Sequence, residues 1–250
     1  TCLVTVACTM TVRRALAAGA ARRAAAQPGD DHDVLAGWRT ITASPGLRTL
    51  VVLMTLATLA IGVIQVLIKP ILLPTVSTAE MGVVETVAAA GMLVGAALVT
   101  AWKSAQPTTL LAAGLAGTGV AMVLVPLGPG AWWVAACGFL TFACLPLSQA
   151  GAEVLVRTQV DNTRQARTWG TISLVTQMGY LVAYLCSGVL VDRVLQPLLE
   201  SGQPLSTGLG AVVGTGPGRG AALLVGLMGA VMALVALAVR LQRRRLAPPQ

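Results

Sequence analysis

The sequence predicts an all-α membrane protein, a bundle of six transmembrane helices, on three observations. Apolar residues make up 56% of the 250 and charged residues only 10%, with a mean hydropathy of +0.80, whereas soluble domains carry about a quarter charged residues. Six apolar runs are long enough to cross a hydrocarbon core about 30 Å thick, which takes about 20 helical residues at about 1.5 Å each. Basic residues concentrate on alternate connections between those runs. The runs are continuous in Ala, Val, Leu and Gly, unlike the alternating ten-residue segments of a membrane β-barrel.

Taken in order, Thr1–Val12 is apolar but too short to span, and no basic stretch precedes it as in a signal peptide. It reads as the end of a truncated transmembrane helix, so the sequence is expected to continue upstream. Residues 13–48 form the longest polar connection. Gln27-Pro28-Gly29-Asp30 and Ser44-Pro45-Gly46 interrupt it too often for one helix, and it reads as a cytoplasmic linker between two membrane halves. Within it Arg13–Ala26 suits an amphipathic surface helix, and Trp38 suits the headgroup level. The spans are expected at Thr49–Ile68, Met81–Trp102, Thr108–Leu127, Ala131–Val156, Trp169–Val191 and Ala221–Leu241, so that residues 49–241 make one six-helix domain. Asp192–Arg219 reads as a Gly, Pro and Ser-rich outside loop, and 242–250 as a cytoplasmic basic tail. The run Gly214–Gly220 lacks the spacing of a phosphate-binding loop and no strand precedes it, so it reads as a tight turn.

The formal charge of +8 invites a nucleic-acid reading, but position explains it better. Of the 17 basic residues, all but Lys69, Arg193 and Arg219 lie on one alternate set of connections. That is the positive-inside pattern, which places the linker and the C-terminus in the cytoplasm of a multi-pass inner-membrane protein and leaves no need for a nucleic-acid partner. Cys2, Cys8, Cys137, Cys144 and Cys186 all sit in apolar segments without paired spacing and read as small buried hydrophobes. His32, the only histidine, lies in Asp30-Asp31-His32-Asp33, which reads as a solvated charge run. No metal site, cofactor or catalytic motif is expected, and the chain does not read as an enzyme.

Polar residues inside the spans are unevenly spread. The first span carries Gln65, the second Glu85, the fourth Gln149 and Glu153, and the fifth Ser173, Thr176, Gln177, Tyr180 and Tyr184. The fifth-span residues share one helical face. They bond neighbouring helices, or they line a cavity suited to an apolar or aromatic substrate. Gln149, Glu153 and Arg157 form a second stripe, in which Glu153 and Arg157 also make an i,i+4 pair. Glu85 has two readings: it faces a water-filled cavity and cycles a proton, or it sits near the headgroups beside Glu80, stabilised by a helix N-terminus. Gly91 and Gly95 form a G-x-x-x-G packing motif, and Pro146 should kink the fourth span.

Leu35-Ala36-Gly37-Trp38-Arg39, Ser44-Pro45-Gly46-Leu47-Arg48, Gln159-Val160 through Gln165-Ala166-Arg167, Gly179-Tyr180-Leu181 and Ser187-Gly188-Val189-Leu190-Val191-Asp192-Arg193 together resemble the C-terminal half of the twelve-helix major facilitator superfamily, in its drug-efflux, macrolide-efflux-like branch. Two positions depart from the pattern: Ala166 stands where a glycine is usual, and the basic motif between helices eight and nine is reduced to Lys103-Ser104. The resemblance implies a proton-coupled exporter of small amphipathic molecules working by alternating access. It also implies gating roles for Arg157, Arg167 and Asp192, coupling roles for Glu85 or Glu153, and a missing N-terminal six-helix half as partner, with membrane lipids around it. In that family the first, second, fourth and fifth of these spans line the cavity, the same four that carry the polar residues. The competing readings are a non-transporting membrane subunit, a channel, or a membrane enzyme.

Overall fold

The computed structural model describes residues 34–74, 76–102, 104–128, 130–161, 164–200 and 218–241. Among them there is no strand, and six helices are long and apolar enough to cross a membrane. The truncated-helix reading of 1–12, the surface helix at Arg13–Ala26, the acidic run around His32 and the basic tail lie outside the described residues.

A short helix, α1 (Val34–Ala43), leads into the first span, α2 (Pro45–Leu72). The break between them follows from Pro45, which drives the preceding residue out of the helical region. Ser44 is accordingly extended at φ −105° and ψ 112°, and its Oγ accepts from the Leu47 amide at 3.4 Å. The span therefore starts four residues before the expected Thr49, and Ser44-Pro45-Gly46 is its N-cap rather than the end of a loop. The second span, α3 (Thr78–Ala101), opens with a capping box: the Glu80 amide donates to Ser77 Oγ at 3.3 Å and the Ser77 amide to Glu80 Oε2 at 2.9 Å.

The third span, α4 (Pro107–Leu124), ends in a tighter turn at Val125–Leu127, and Trp133 Nε1 donates to the Leu124 carbonyl at 2.9 Å. The fourth, α5 (Ala131–Gln159), is continuous through Pro146. The fifth, α6 (Gln165–Leu190), does not stop at Val191 as expected. It passes through a π turn at Val191–Leu195 into α7 (Gln196–Glu200), so Asp192 belongs to a helix and the first nine residues of the expected outside loop are helical. The wider π turn absorbs the helix-breaking effect of Pro197, whose ring would otherwise press on a carbonyl one turn back. The sixth span is α8 (Arg219–Leu241), entered from Gly218 at φ +81°, a conformation open to glycine at little cost.

The packing has an internal order. Helix α2 packs on α6 and α3 on α5; α4 packs on α5 and α8 on α2; α4 and α8 pack on each other. Exchanging the first three spans for the last three leaves that list unchanged. Because each set holds three spans, the second set begins on the opposite side of the membrane from the first, which is the arrangement of an inverted repeat. Helix α4 is the most enclosed span, and α3 and the fifth-span helix are the least enclosed.

Small residues set the crossings. Gly91 and Gly95 are buried against α5, where a side chain at Gly91 would strike the Phe139 carbonyl and one at Gly95 the Pro146 ring, 2.9 Å away. Gly119 and Gly229 do the same between α4 and α8, where a side chain on either would strike the other's carbonyl. A side chain at Gly62 would strike Ala183 and the Tyr180 ring across the α2–α6 contact.

Candidate functional site

Among the described residues, two cavities between the spans hold polar side chains. The larger, about 340 Å³, forms where α2, α4, α5 and α6 converge. Its polar wall is Thr58, Ser148, Gln149, Glu153, Thr176 and Tyr180, set against Leu53, Met54, Ile61 and Leu145. Three of these hydroxyls are already committed to their own helices. Thr58 Oγ1 donates to the Met54 carbonyl, Ser148 Oγ to the Leu145 carbonyl at 2.8 Å, and Thr176 Oγ1 to the carbonyls of Ile172 and Ser173 at 2.9 and 3.0 Å. Gln149 and Glu153 are exposed at the wall, and Glu153 Oε1 lies 3.5 Å from Arg157 Nη2. Both partners of that ion pair are more than half exposed, so it contributes only a few tenths of a kcal/mol, about 0.3–0.5 for such a helix pair.

The second cavity, about 290 Å³, lies between α2, α3 and α5 and places Gln65 and Glu85 on one wall, among Ile64, Val84, Ala88 and Phe142. Tyr184 reaches the same glutamine from α6: its hydroxyl donates to Gln65 Oε1 at 2.8 Å, across 119 residues of sequence. Tyr180 and Tyr184 also touch, with ring centroids 5.9 Å apart and planes inclined at 39°. The tyrosine pair thus links the two cavities.

Glu85 does not sit at the helix terminus. The capping box gives that place to Glu80, and Glu85 lies two turns in, about 10 Å along the helix from Thr78. The helix dipole acts on charges within the first turn, so it offers little stabilisation to Glu85, which is exposed.

Of the fifth-span stripe, Thr176 and Tyr180 line the larger cavity and Tyr184 bonds Gln65, while Ser173 and Gln177 are exposed and line neither cavity. Arg157 faces Glu153; Arg167 lies apart, near the start of α6; Asp192 is exposed in the π turn. Thr58 and Trp169 line the larger cavity and were not picked out from the sequence. Spacing could have found both. Thr58 is two helical turns before Gln65, and Trp169 extends the Ser173, Thr176, Tyr180 series by one more turn. Among the described residues no group of His, Cys, Asp and Glu could hold a metal ion.

The described residues define an all-α, multi-pass membrane protein with two small cavities among its spans, each lined in part by polar side chains. No family model matches the chain, and neither a curated protein nor a solved structure is significantly similar to it.

Proposed function

We propose that this chain is half of a secondary active transporter of the major facilitator type, exporting small amphipathic molecules in exchange for protons. The observation that carries the reading is the packing pattern that maps onto itself when the first three spans replace the last three. Transporters that work by alternating access are commonly built from such repeats, with the substrate site where they meet. The larger cavity lies at that meeting, with polar groups from α5 and α6 against apolar residues of α2. Substrate would bind in that cavity, completed by the six helices of the other half.

The test is transport by the product of the complete coding sequence in liposomes with an imposed pH gradient. Saturable movement of a fluorescent amphipathic cation against its own gradient, collapsed by dissipating the pH gradient, is the expected result. Flux that never exceeds passive equilibration would point to a channel, and no flux to a non-transporting subunit.

Sidedness is a separate prediction from the placement of 14 of the 17 basic residues on one side. Reporters joined near Gly29 and after Gln250 should both register cytoplasm, and one near Gly208 the outside of the inner membrane. A cytoplasmic signal at Gly208 would refute the topology.

A further inference from the structure

We infer that the start of α6 and the helix α1 form a binding site for a phosphate group, supplied by the headgroup of an anionic phospholipid. A cavity of about 450 Å³ lies between these elements, walled by Arg39, Arg164 and Arg167 together with Thr40 and Thr168. Among the described residues, no acidic residue lines it. Guanidinium forks match phosphate oxygens in pairs, whereas the Thr168 hydroxyl already donates to the Arg164 carbonyl at 3.0 Å. The helix adds to the field: α6 runs 26 residues, its first turn holds no acidic residue, and its N-cap, Arg164, makes no side-chain capping bond.

The walls are held in register by close packing. A side chain at Gly37 would strike Thr171 Oγ1 and the Arg167 carbonyl, so α1 rests against α6 with no space for one. Position selects the lipid over a free anion. The cavity is at the point where two spans, α2 and α6, begin, beside exposed Trp38, at the level where headgroups lie and where aromatic side chains collect. The site is separate from both cavities described above and does not depend on the transport reading.

The experiment follows the thermal unfolding midpoint of the purified complete protein in detergent as dioleoyl phosphatidylglycerol is titrated in, with dioleoyl phosphatidylcholine as the neutral comparison. A second arm titrates inorganic phosphate against chloride at equal ionic strength. Phosphatidylglycerol should raise the midpoint and phosphatidylcholine should not. Arg39→Gln and Arg164→Gln should each shift the half-saturating lipid concentration upward about five-fold, with Arg164→Lys recovering part of the loss. Arg48→Gln, at the same end of α2 but outside the cavity, should leave it unchanged. Protection by phosphate alone, lost in the same two variants, would keep the site and assign it a soluble anion. The inference fails if neither ligand protects, if the two variants respond like the unaltered protein, or if Arg48→Gln shifts the curve equally, which would reduce the effect to surface charge. Arg39 and Arg164 are exposed, so either single variant should fold; equal unfolding midpoints in phosphatidylcholine check that.

Discussion

Glu85→Gln should abolish pH-gradient-driven export by the complete transporter while leaving its folding and membrane insertion intact. The substitution keeps the shape of the side chain and removes its charge. Two features direct the expectation: the carboxylate lies two turns inside α3, beyond the reach of the helix terminus that Glu80 already occupies, and it shares a cavity wall with Gln65. An ionisable group at such depth is costly in a membrane and is kept for ion or proton movement. Loss of one proton-transferring group lowers rates by about 10²–10⁴-fold, so gradient-driven flux should fall by that order, or lose its dependence on pH. Downhill exchange of substrate, which needs no proton, should survive. Normal export across the whole pH range would take Glu85 out of the mechanism and transfer coupling to the other half of the transporter.

The second large effect is expected at the tyrosine pair. Tyr180→Ala should alter which compounds are exported, because the ring lines the larger cavity against Leu53, Ile61 and Leu145. Removing apolar contact in a binding pocket changes discrimination by about 10–200-fold, so export-rate ratios between a bulky aromatic substrate and a smaller one should move by at least about tenfold. Tyr184→Ala should act more broadly, since its hydroxyl ties α6 to Gln65 on α2 and its ring touches Tyr180. Tyr184→Phe separates the two contributions. It keeps the ring and removes one interhelical hydrogen bond worth about 0.6 kcal/mol in a membrane bundle. Abundance of each variant, measured alongside, decides the matter: a uniform loss for all substrates in proportion to lost protein would make the pair a packing device.

The spans were legible because membrane insertion is a local problem. Every backbone amide in lipid must be satisfied within its own segment, so an apolar run of sufficient length declares a helix without reference to its neighbours. Helix ends were less legible. Ser44 and Ser77 each cap a span four or five residues before the apolar run begins, since a capping side chain answers to hydrogen bonding rather than hydropathy. The continuation of α6 through Asp192 to Glu200 was hidden for a similar reason: charged and proline residues suggested a loop, and a π turn carried the helix past them.

The candidate site divides along the same line. Periodicity placed Thr176, Tyr180 and Tyr184 on one face of the fifth span, and the G-x-x-x-G spacing of Gly91 and Gly95 marked a close approach. Spacing along one helix cannot say what that face meets. That Tyr184 reaches Gln65, that Glu85 joins the same wall, and that Arg39 faces Arg164 and Arg167 depend on how each helix is rotated and how near it comes to the next. Those rotations are set by close approaches between residues far apart in the chain, such as Gly62 against the Tyr180 ring and Gly179 against the Thr55 backbone, where no side chain would fit. The sequence by itself therefore determined that six helices cross a membrane and which residues in them are polar, through hydropathy and helical period. Only the tertiary structure decided which polar residues share a cavity, because side-chain meetings across helices follow from interhelical packing, and packing is a property of pairs.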